Sequence, residues 1–588
     1  MRLGRIGSEA ILALVAGLLV CAAHAQYRPE VPVLYCAHEG EPVPQVPGAV
    51  FQYLWPPEID GAGNVLFSGY MAGPGIGASN NEGIWYGQPG AMSLVARDGW
   101  PAPDLPGVVY SSVSSVGEAA SENGWIVFTA YISGSGVTPD VNDKAVFCGP
   151  VGDFHLVKRT GSAVPEVGPG VTLSGAANLG ACISDNGVLC VYGELAGASL
   201  PPTATHRVWW IGPRGGLQLA VWEGMPVQGC PECEPGVYLL GAGDLSFNDA
   251  GEVAFEAMLE GPGIHYYDNK ARFIGPPDGL TIMQRTGDLV PQFGPGIEIV
   301  DFGGVWSLNA SGDQVNRVRV YGPGVTTAND WALVGGETEP STIIAREGDP
   351  APEAGEGTYK RSVSTPFINN QHRALYLAGF AGPGVDPSEG GIYFGPYADA
   401  ALIIREGDPA GYFPPGSALH QVGGVYGTVA MNDTGDFDAI TRVQDAAGEI
   451  VDVLWLWRGL TAHYVPLLAT GAQVSGRTVT LADFHGQFWT QTGGGDGMPQ
   501  SFNDQRQLAT LLDFTDGTSG IYRIGPPLLG DTDGDGQVSA AELLTFASCA
   551  AGPGGSVAPG CEALDLNLDA TIDLKDLALL QAMVGEQR

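Results

Sequence analysis

Along residues 252–259, Val253, Phe255, Ala257 and Leu259 fall on one face of an extended chain, and Glu252, Glu256 and Met258 on the other. That period of two predicts a half-buried strand. A tight turn precedes it, Asn248-Asp249-Ala250-Gly251, and the same kind of turn recurs as Asn432-Asp433-Thr434-Gly435 and Glu122-Asn123-Gly124. Before each turn lies a strand rich in small residues, as at 237–247 and 423–431. After the alternating strand comes a Gly-Pro-Gly loop, opened by Gly73, Gly261, Gly322 and Gly382 in four units. A short strand then closes the unit, as in Gly83-Ile84-Trp85-Tyr86-Gly87 and Gly391-Ile392-Tyr393-Phe394-Gly395.

An apolar strand ending in a charged phrase separates these units. The phrase reads CAHEGEPVP at 36, ARDGWPAP at 96, KRTGSAVP at 158, VWEGMPV at 221, QRTGDLVP at 284, AREGDPAP at 345, IREGDPAG at 404 and LATGAQV at 468. Its glycine falls at Gly40, Gly99, Gly161, Gly224, Gly287, Gly348, Gly407 and Gly471, at intervals of 59 to 64 residues. Four strands in each unit, repeated eight times, predict an all-β fold, an eight-bladed β-propeller over residues 26–527. The chain opens on a phrase strand and its last repeat ends near 520–524. The first strand is therefore expected to complete the last blade as its outer strand, which removes the open edges of the array. The small-residue strand is expected innermost, where eight strands crowd a channel. An open solenoid or two smaller sheets is the competing architecture.

Composition narrows the partners. The 588 residues hold 64 Asp and Glu against 26 Lys and Arg, a net charge of −38. With no basic cluster beyond short pairs, nucleic-acid binding is not expected. Gly 89 and Pro 44 accompany 44% apolar residues, which fits many strands and turns rather than disorder. Residues 1–25 read as a signal peptide: Arg2 and Arg5, an apolar run at 11–20, and Ala23-His24-Ala25 before Gln26. The run is too short for a membrane span and no other segment approaches that length. The expected location is secreted, extracellular or cell-surface, in a bacterium, where disulfides persist. Cys182 and Cys190 flank a turn and are placed to staple a hairpin. Cys549 and Cys561 are expected to pair. For Cys230 and Cys233 a loop disulfide is favoured over a zinc half-site or a redox pair, and Cys36 and Cys148 have no evident partner.

Standard catalytic motifs are missing: no HExxH, GxSxG or GxxxxGK[ST] occurs. The phrase places Glu39, Asp98, Glu223, Glu347, Asp349, Glu406 and Asp408 next to its glycines, while Thr160, Thr286 and Thr470 replace the acid in three units. The replacement favours a turn over one cation or sugar contact per blade. Asp244, Asp301 and Asp483 lie on expected inner strands and are channel candidates. Trp55, Trp85, Trp125, Trp209, Trp210, Trp306, Trp455, Trp457 and Trp489 are expected chiefly as wedges between blades, with sugar stacking as the alternative.

The last sixty residues carry two calcium-loop sequences. The first, DTDGDGQVSAAE, places Asp531, Asp533, Asp535, Gln537 and Glu542 at loop positions one, three, five, seven and twelve, with Gly536 at six. The second, DLNLDATIDLKD, places Asp565, Asn567, Asp569, Thr571 and Asp576 likewise, with Asp573 at nine and Ala570 where the sharp turn favours Gly. Ca²⁺ takes six to eight oxygens, and this spacing wraps the chain around one ion. After each loop an apolar stripe is expected on a helix: Leu543, Leu544 and Ala547, then Leu577, Leu580 and Val584.

Residues 528–588 thus resemble the dockerin family, which pairs two calcium-loop–helix repeats and docks onto cohesin modules. The resemblance implies two Ca²⁺ ions and a cohesin-like partner held through loop positions ten and eleven, here Ala540, Ala541, Leu574 and Lys575. Dockerins often ride on polysaccharide-degrading enzymes, which implies a polysaccharide partner by analogy alone. Residues 32–526 are similar to secreted bacterial proteins carrying a REGDPAPG phrase in tandem, a resemblance that implies no activity. The expected function is a secreted, non-enzymatic, calcium-binding propeller that presents a binding surface. A glycoside hydrolase or lyase with its site at the channel is one alternative, predicting two or three acids with an aromatic floor. A structural cell-surface protein is the other.

Overall fold

The computed structural model describes residues 31–113, 118–201, 205–227, 230, 233–336, 342–386, 389–397, 399–410, 413–422, 429–458, 463–485, 501–525 and 530. In the C-terminal part it describes 540–550, 561, 564, 566 and 572–586.

Eight antiparallel sheets follow one another along the chain as the blades of a propeller. Blade 1 runs from its inner strand pieces Val50–Leu54 and Glu58–Ile59 through Val65–Ala72 and Glu82–Gly87 to the outer strand Ser93–Arg97. Blade 2 repeats the order with Val108–Ser112 and Glu118–Ala120, Ile126–Gly134, Lys144–Gly149 and His155–Arg159. Blade 8 is built from both ends of the repeat region: its strands are Arg477–His485, Leu508–Phe514, Ser519–Ile524 and, outermost, Val33–His38. Val33 pairs with Ile524 and His38 with Gly520, so the phrase strand closes the ring as expected.

The phrase is a hook between blades. All eight of its glycines have φ between 76° and 106°, a region open to glycine at little cost. In every copy the glycine N–H donates to a carbonyl on the next blade's inner strand, from Gly40 to Phe51 through Gly471 to Val479, at 2.7 to 2.9 Å. Some of the acids around it serve the turn. Glu39 and Glu223 accept the backbone N–H of Ser519 and Arg207, and Thr160 and Thr286 do the same for Lys144 and Lys270. Asp408 accepts the N–H of Arg405.

A second set of ties runs around the ring at the tight turns. Asp60, Ser121, Ser184, Asn248, Asn309, Asn369, Asn432 and Asn503 are buried at the first turn position. Each of the asparagines accepts backbone N–H groups of its own turn, and its amide Nδ2 reaches into the next blade. Asn248 donates to the Asn309 carbonyl, Asn309 to that of Asn369, Asn432 to that of Asn503 and Asn503 to that of Asp60. Apolar cores fill the seams: Leu66 and Ile84 of blade 1 pack with Phe128 and Phe147 of blade 2. Trp85, Trp210 and Trp455 are buried wedges of the expected kind.

In the C-terminal part, helices Ala540–Cys549 and Leu574–Glu586 share a core of Phe546, Leu564, Leu566, Ile572 and Leu580, and Cys549 is bonded to Cys561. The expected first stripe is corrected here. Leu544 and Ala547 are exposed, and Leu543 and Phe546 face the core, because residues three apart share a helix face. Cys230 and Cys233 form the second disulfide. Cys182 and Cys190 stand directly opposite each other on paired strands, yet both thiols are free. Burial pushes the Cys182 thiol up to about 12. Cys36 and Cys148 are free and buried. Among the described residues no helix is long and apolar enough to cross a membrane. The expected signal peptide, residues 1–25, lies outside the described residues.

Candidate functional site

The two halves of the inner strands present different chemistry to the channel. At the tight-turn end, the second turn position is Glu122, Asp185, Asp249, Asp433 and Asp504 in five of the eight blades. These carboxylates form an acidic collar. Burial and then the charges of Asp504, Asp433, Asp60 and Asp249 push Glu122 up to about 7. Burial and Asp504 push Asp433 to about 6. Part of the collar is tied down: Asn186 donates from its backbone and its amide to Asp249, at 3.0 and 2.5 Å, and Asn370 to Asp433. Such a collar attracts cations and repels anions. Among the described residues no three His, Cys, Asp or Glu side chains come close enough together to hold a metal ion.

The other end carries a break in the repeat. In every blade the residue after the outer strand donates its N–H to the residue that leads into the third strand. The eight pairs are Asp98 with Glu82, Thr160 with Lys144, Glu223 with Arg207, Thr286 with Lys270, Glu347 with Trp331, Glu406 with Gly390, Thr470 with Asp452 and Glu39 with Ser519. In blades 2, 3 and 4 the second member is a cation that binds the next blade's inner strand. Lys144 donates to the Gly175 and Ala177 carbonyls, Arg207 to that of Ala242, and Lys270 to the Asp301 carboxylate at 2.6 Å. Blade 1 instead sets a carboxyl opposite a carboxyl.

That pair belongs to a row across the whole of blade 1. Tyr53 stands opposite Tyr70, Tyr70 opposite Glu82, and Glu82 next to Asp98. Directly opposed residues project from the same face of a sheet, here the face turned to blade 2. Glu82 Oε2 accepts the Ser112 hydroxyl at 2.6 Å and the Val113 N–H at 3.0 Å, both from blade 2. Trp55 lies two residues beyond Tyr53, its ring edge-on at 4.9 Å, and Tyr53 is 6.4 Å from Tyr70. Tyr53 is 45% exposed and Trp55 38%. Elsewhere between blades 1 and 2, Glu118 of blade 2 is hydrogen-bonded to Ser68, and Glu58 accepts the Ala120 N–H at 2.9 Å.

The carboxyls of this seam are poorly solvated. Asp98 is 2% exposed, and among the described residues neither oxygen closes a hydrogen bond, although the N–H groups of Glu82 and Val113 face it. Burial, then the neighbouring Glu82, pushes it up to about 7. Burial does the same to Glu118, and lifts Glu58 well above the glutamate range. Oε1 of Glu58 has no partner among the described residues.

Of the channel candidates, Asp301 is spent on the ion pair with Lys270. Asp244 and Asp483 sit on inner strands, with side chains outside the described residues. Asp531, Asp533, Asp535, Gln537, Asp565, Asn567, Asp569 and Thr571 lie outside the described residues altogether. Glu542 and Asp576, at position twelve of the two loops, are buried in the first turns of their helices. The Asp573 N–H donates to Asp576 Oδ2 at 2.8 Å. Of the docking positions, Leu574 and Lys575 are exposed at the start of their helix, and the side chains of Ala540 and Ala541 lie outside the described residues. Sequence reasoning missed the blade 1 row; the signal was Glu82 at a position where three later copies carry Lys or Arg.

A family model described as a family of unknown function (DUF7453) matches residues 27–228 and 166–489. The chain belongs to this family. The DUF7453 region spans most of the propeller. No curated protein matches the chain. Among solved structures, the β-propeller domain of the Trilobed protease from Pyrococcus furiosus is similar at 8% identity and a TM-score of 0.32, over 71% of this chain and 98% of that one. An oligogalacturonate lyase in complex with manganese is similar at 9% and 0.34, over 85% and 98%. Prolyl oligopeptidase B from Galerina marginata is similar at 9% and 0.31, over 70% of this chain and 47% of that one.

Proposed function

We propose that this chain is an exported, calcium-binding propeller that presents a ligand-binding surface at the seam between blades 1 and 2 and attaches to a partner or assembly through its dockerin-like tail. The blade 1–2 seam carries the ligand half of this reading. Two carboxyls face each other there, where blades 2, 3 and 4 carry a cation, and aromatic rings on the same face are left open to water. Glu542 and Asp576 support the tail half. A carboxylate buried at position twelve is the last ligand that each loop brings to its ion, and with Asp531, Asp533 and Asp535, or Asp565, Asn567 and Asp569, it would complete an oxygen shell. Two disulfides support an oxidising location.

Calorimetric titration of Ca²⁺ into the chelator-stripped full chain should give two sites. Asp531→Ala and Asp565→Ala should each remove one. Silence at millimolar Ca²⁺ would sink the tail half of the reading.

The seam also favours a second reading, cleavage of a glycosidic bond, because paired carboxyls beside aromatic rings are what that chemistry uses. It expects reducing ends to accumulate when soluble polysaccharide is incubated with the protein, and Asp98→Asn to stop them. Polysaccharide left intact by the wild-type chain rejects it.

A further inference from the structure

We infer that the aromatic patch at the blade 1–2 seam binds a neutral saccharide, with Trp55 against the C–H face of a sugar ring, Tyr53 edge-on beside it and the carboxyl row taking the hydroxyls. The inference rests on the seam being the ligand site proposed above.

Three observations carry it. First, the rings are open. Trp85, Trp210 and Trp455 spend their area as wedges, whereas Tyr53 and Trp55 keep 45% and 38% of theirs in water. Their edge-on contact holds both planes in place, so a ligand meets a surface already formed. Second, the seam holds buried oxygens with no closed hydrogen bond among the described residues: both of Asp98 and Oε1 of Glu58, each residue 2% exposed. Buried polar atoms left so cost free energy that a hydroxyl donor relieves. Third, charge selects among ligands that carry both apolar and polar faces. Glu82 follows the tyrosines along the same face, so a phosphate or uronate meets a carboxyl where it would need a cation. Burial also holds Asp98 and Glu118 at about 7, so near neutrality they are partly protonated and can both donate and accept. That suits hydroxyls better than an ammonium ion.

The test is calorimetry on the full chain at mildly acidic pH, with cellohexaose, xylohexaose, mannohexaose, hexagalacturonate and tetramethylammonium as probes. A neutral hexasaccharide should bind. Trp55→Ala and Tyr53→Ala should each weaken it about tenfold or more, the loss of one ring contact. Trp55→Phe, which keeps a ring and the fold, should retain most of the affinity. Tyr266→Ala, on a remote residue 92% exposed, should change nothing. Binding of hexagalacturonate or tetramethylammonium alone, abolished by Trp55→Ala, overturns the saccharide class and leaves the seam as the ligand site. Neutral binding undiminished by both alanine variants overturns the seam itself. No binding by any probe overturns the inference while calcium-dependent attachment stands.

Discussion

Asn309→Ala is expected to cost the propeller about 2–3 kcal/mol, from the three hydrogen bonds it removes, two of them buried. Asn309 is buried at the turn of blade 5. Its Oδ1 accepts the Ser311 and Asp313 N–H groups at 3.0 and 2.9 Å, and its Nδ2 donates to the Asn369 carbonyl of blade 6 at 3.1 Å. Alanine removes all three bonds; the Asp313 N–H is left buried, while Ser311 is exposed and the Asn369 carbonyl keeps the His372 N–H. Ser121→Ala makes the control. Ser121 is equally buried, but its hydroxyl closes only its own turn, on Asn123 and Trp125. It should cost about 1 kcal/mol. Guanidinium midpoints of the two variants, at a common slope, measure the difference. Equal losses would mean that the asparagine link between blades adds nothing to the cap within the turn.

The eightfold repeat was legible because its cause is local. A glycine with positive φ, followed by a turn, recurs wherever the backbone must hook the next blade, and backbone needs leave a fixed residue in the sequence. Ring closure was legible for the same reason: the chain begins with an outer strand that lacks the rest of its blade. The turns at Asn248 and Asn432 were legible as turns. That their amide groups also cross to the next blade was not, because the acceptor lies 61 or 71 residues away.

The seam was hidden for a different reason. Asp98 looks like any phrase acid and Trp55 like any wedge. Their company is set by strand register, which brings Tyr53, Tyr70, Glu82 and Asp98 into one row from separate segments of the blade. Read alone, each residue has a structural explanation; read against the other copies, Glu82 stands where Lys144, Arg207 and Lys270 make the tie between blades. In a repeat protein the copies themselves supply the structural expectation, and a site is sought where one copy departs from it. The calcium loops obey the opposite logic. Their ligands are close together in sequence, so the spacing was readable, while the stripe that packs the helices depends on tertiary contacts and differs from the expected one at Leu544 and Ala547.

Folding stability is expected to fall as pH rises from about 5 to 8, and the buried carboxyls of the propeller set the direction. Burial pushes Glu118 from the ordinary glutamate value up to about 7 and Asp438 from the aspartate value to about 7. Both are almost fully buried. A group raised in the folded state binds its proton more tightly there than in the unfolded chain. Its contribution is complete below the unfolded value, near pH 4, and is lost as pH climbs through about 7. For Glu118 alone the loss approaches roughly 3 kcal/mol at the alkaline end. Glu122 and Asp433 of the collar, also raised, act in the same direction. Glu118→Gln and Asp438→Asn should flatten the profile by raising stability at about pH 8 more than at about pH 5.5. In the second variant the asparagine amide oxygen can still accept the Ala430 N–H, which Asp438 Oδ1 accepts at 2.8 Å. The measurement is thermal unfolding across that range at fixed millimolar Ca²⁺, which holds the tail constant. A wild-type profile that rises toward the alkaline end, or variants that keep the full slope, would show that these carboxyls ionise without penalty in the folded ring.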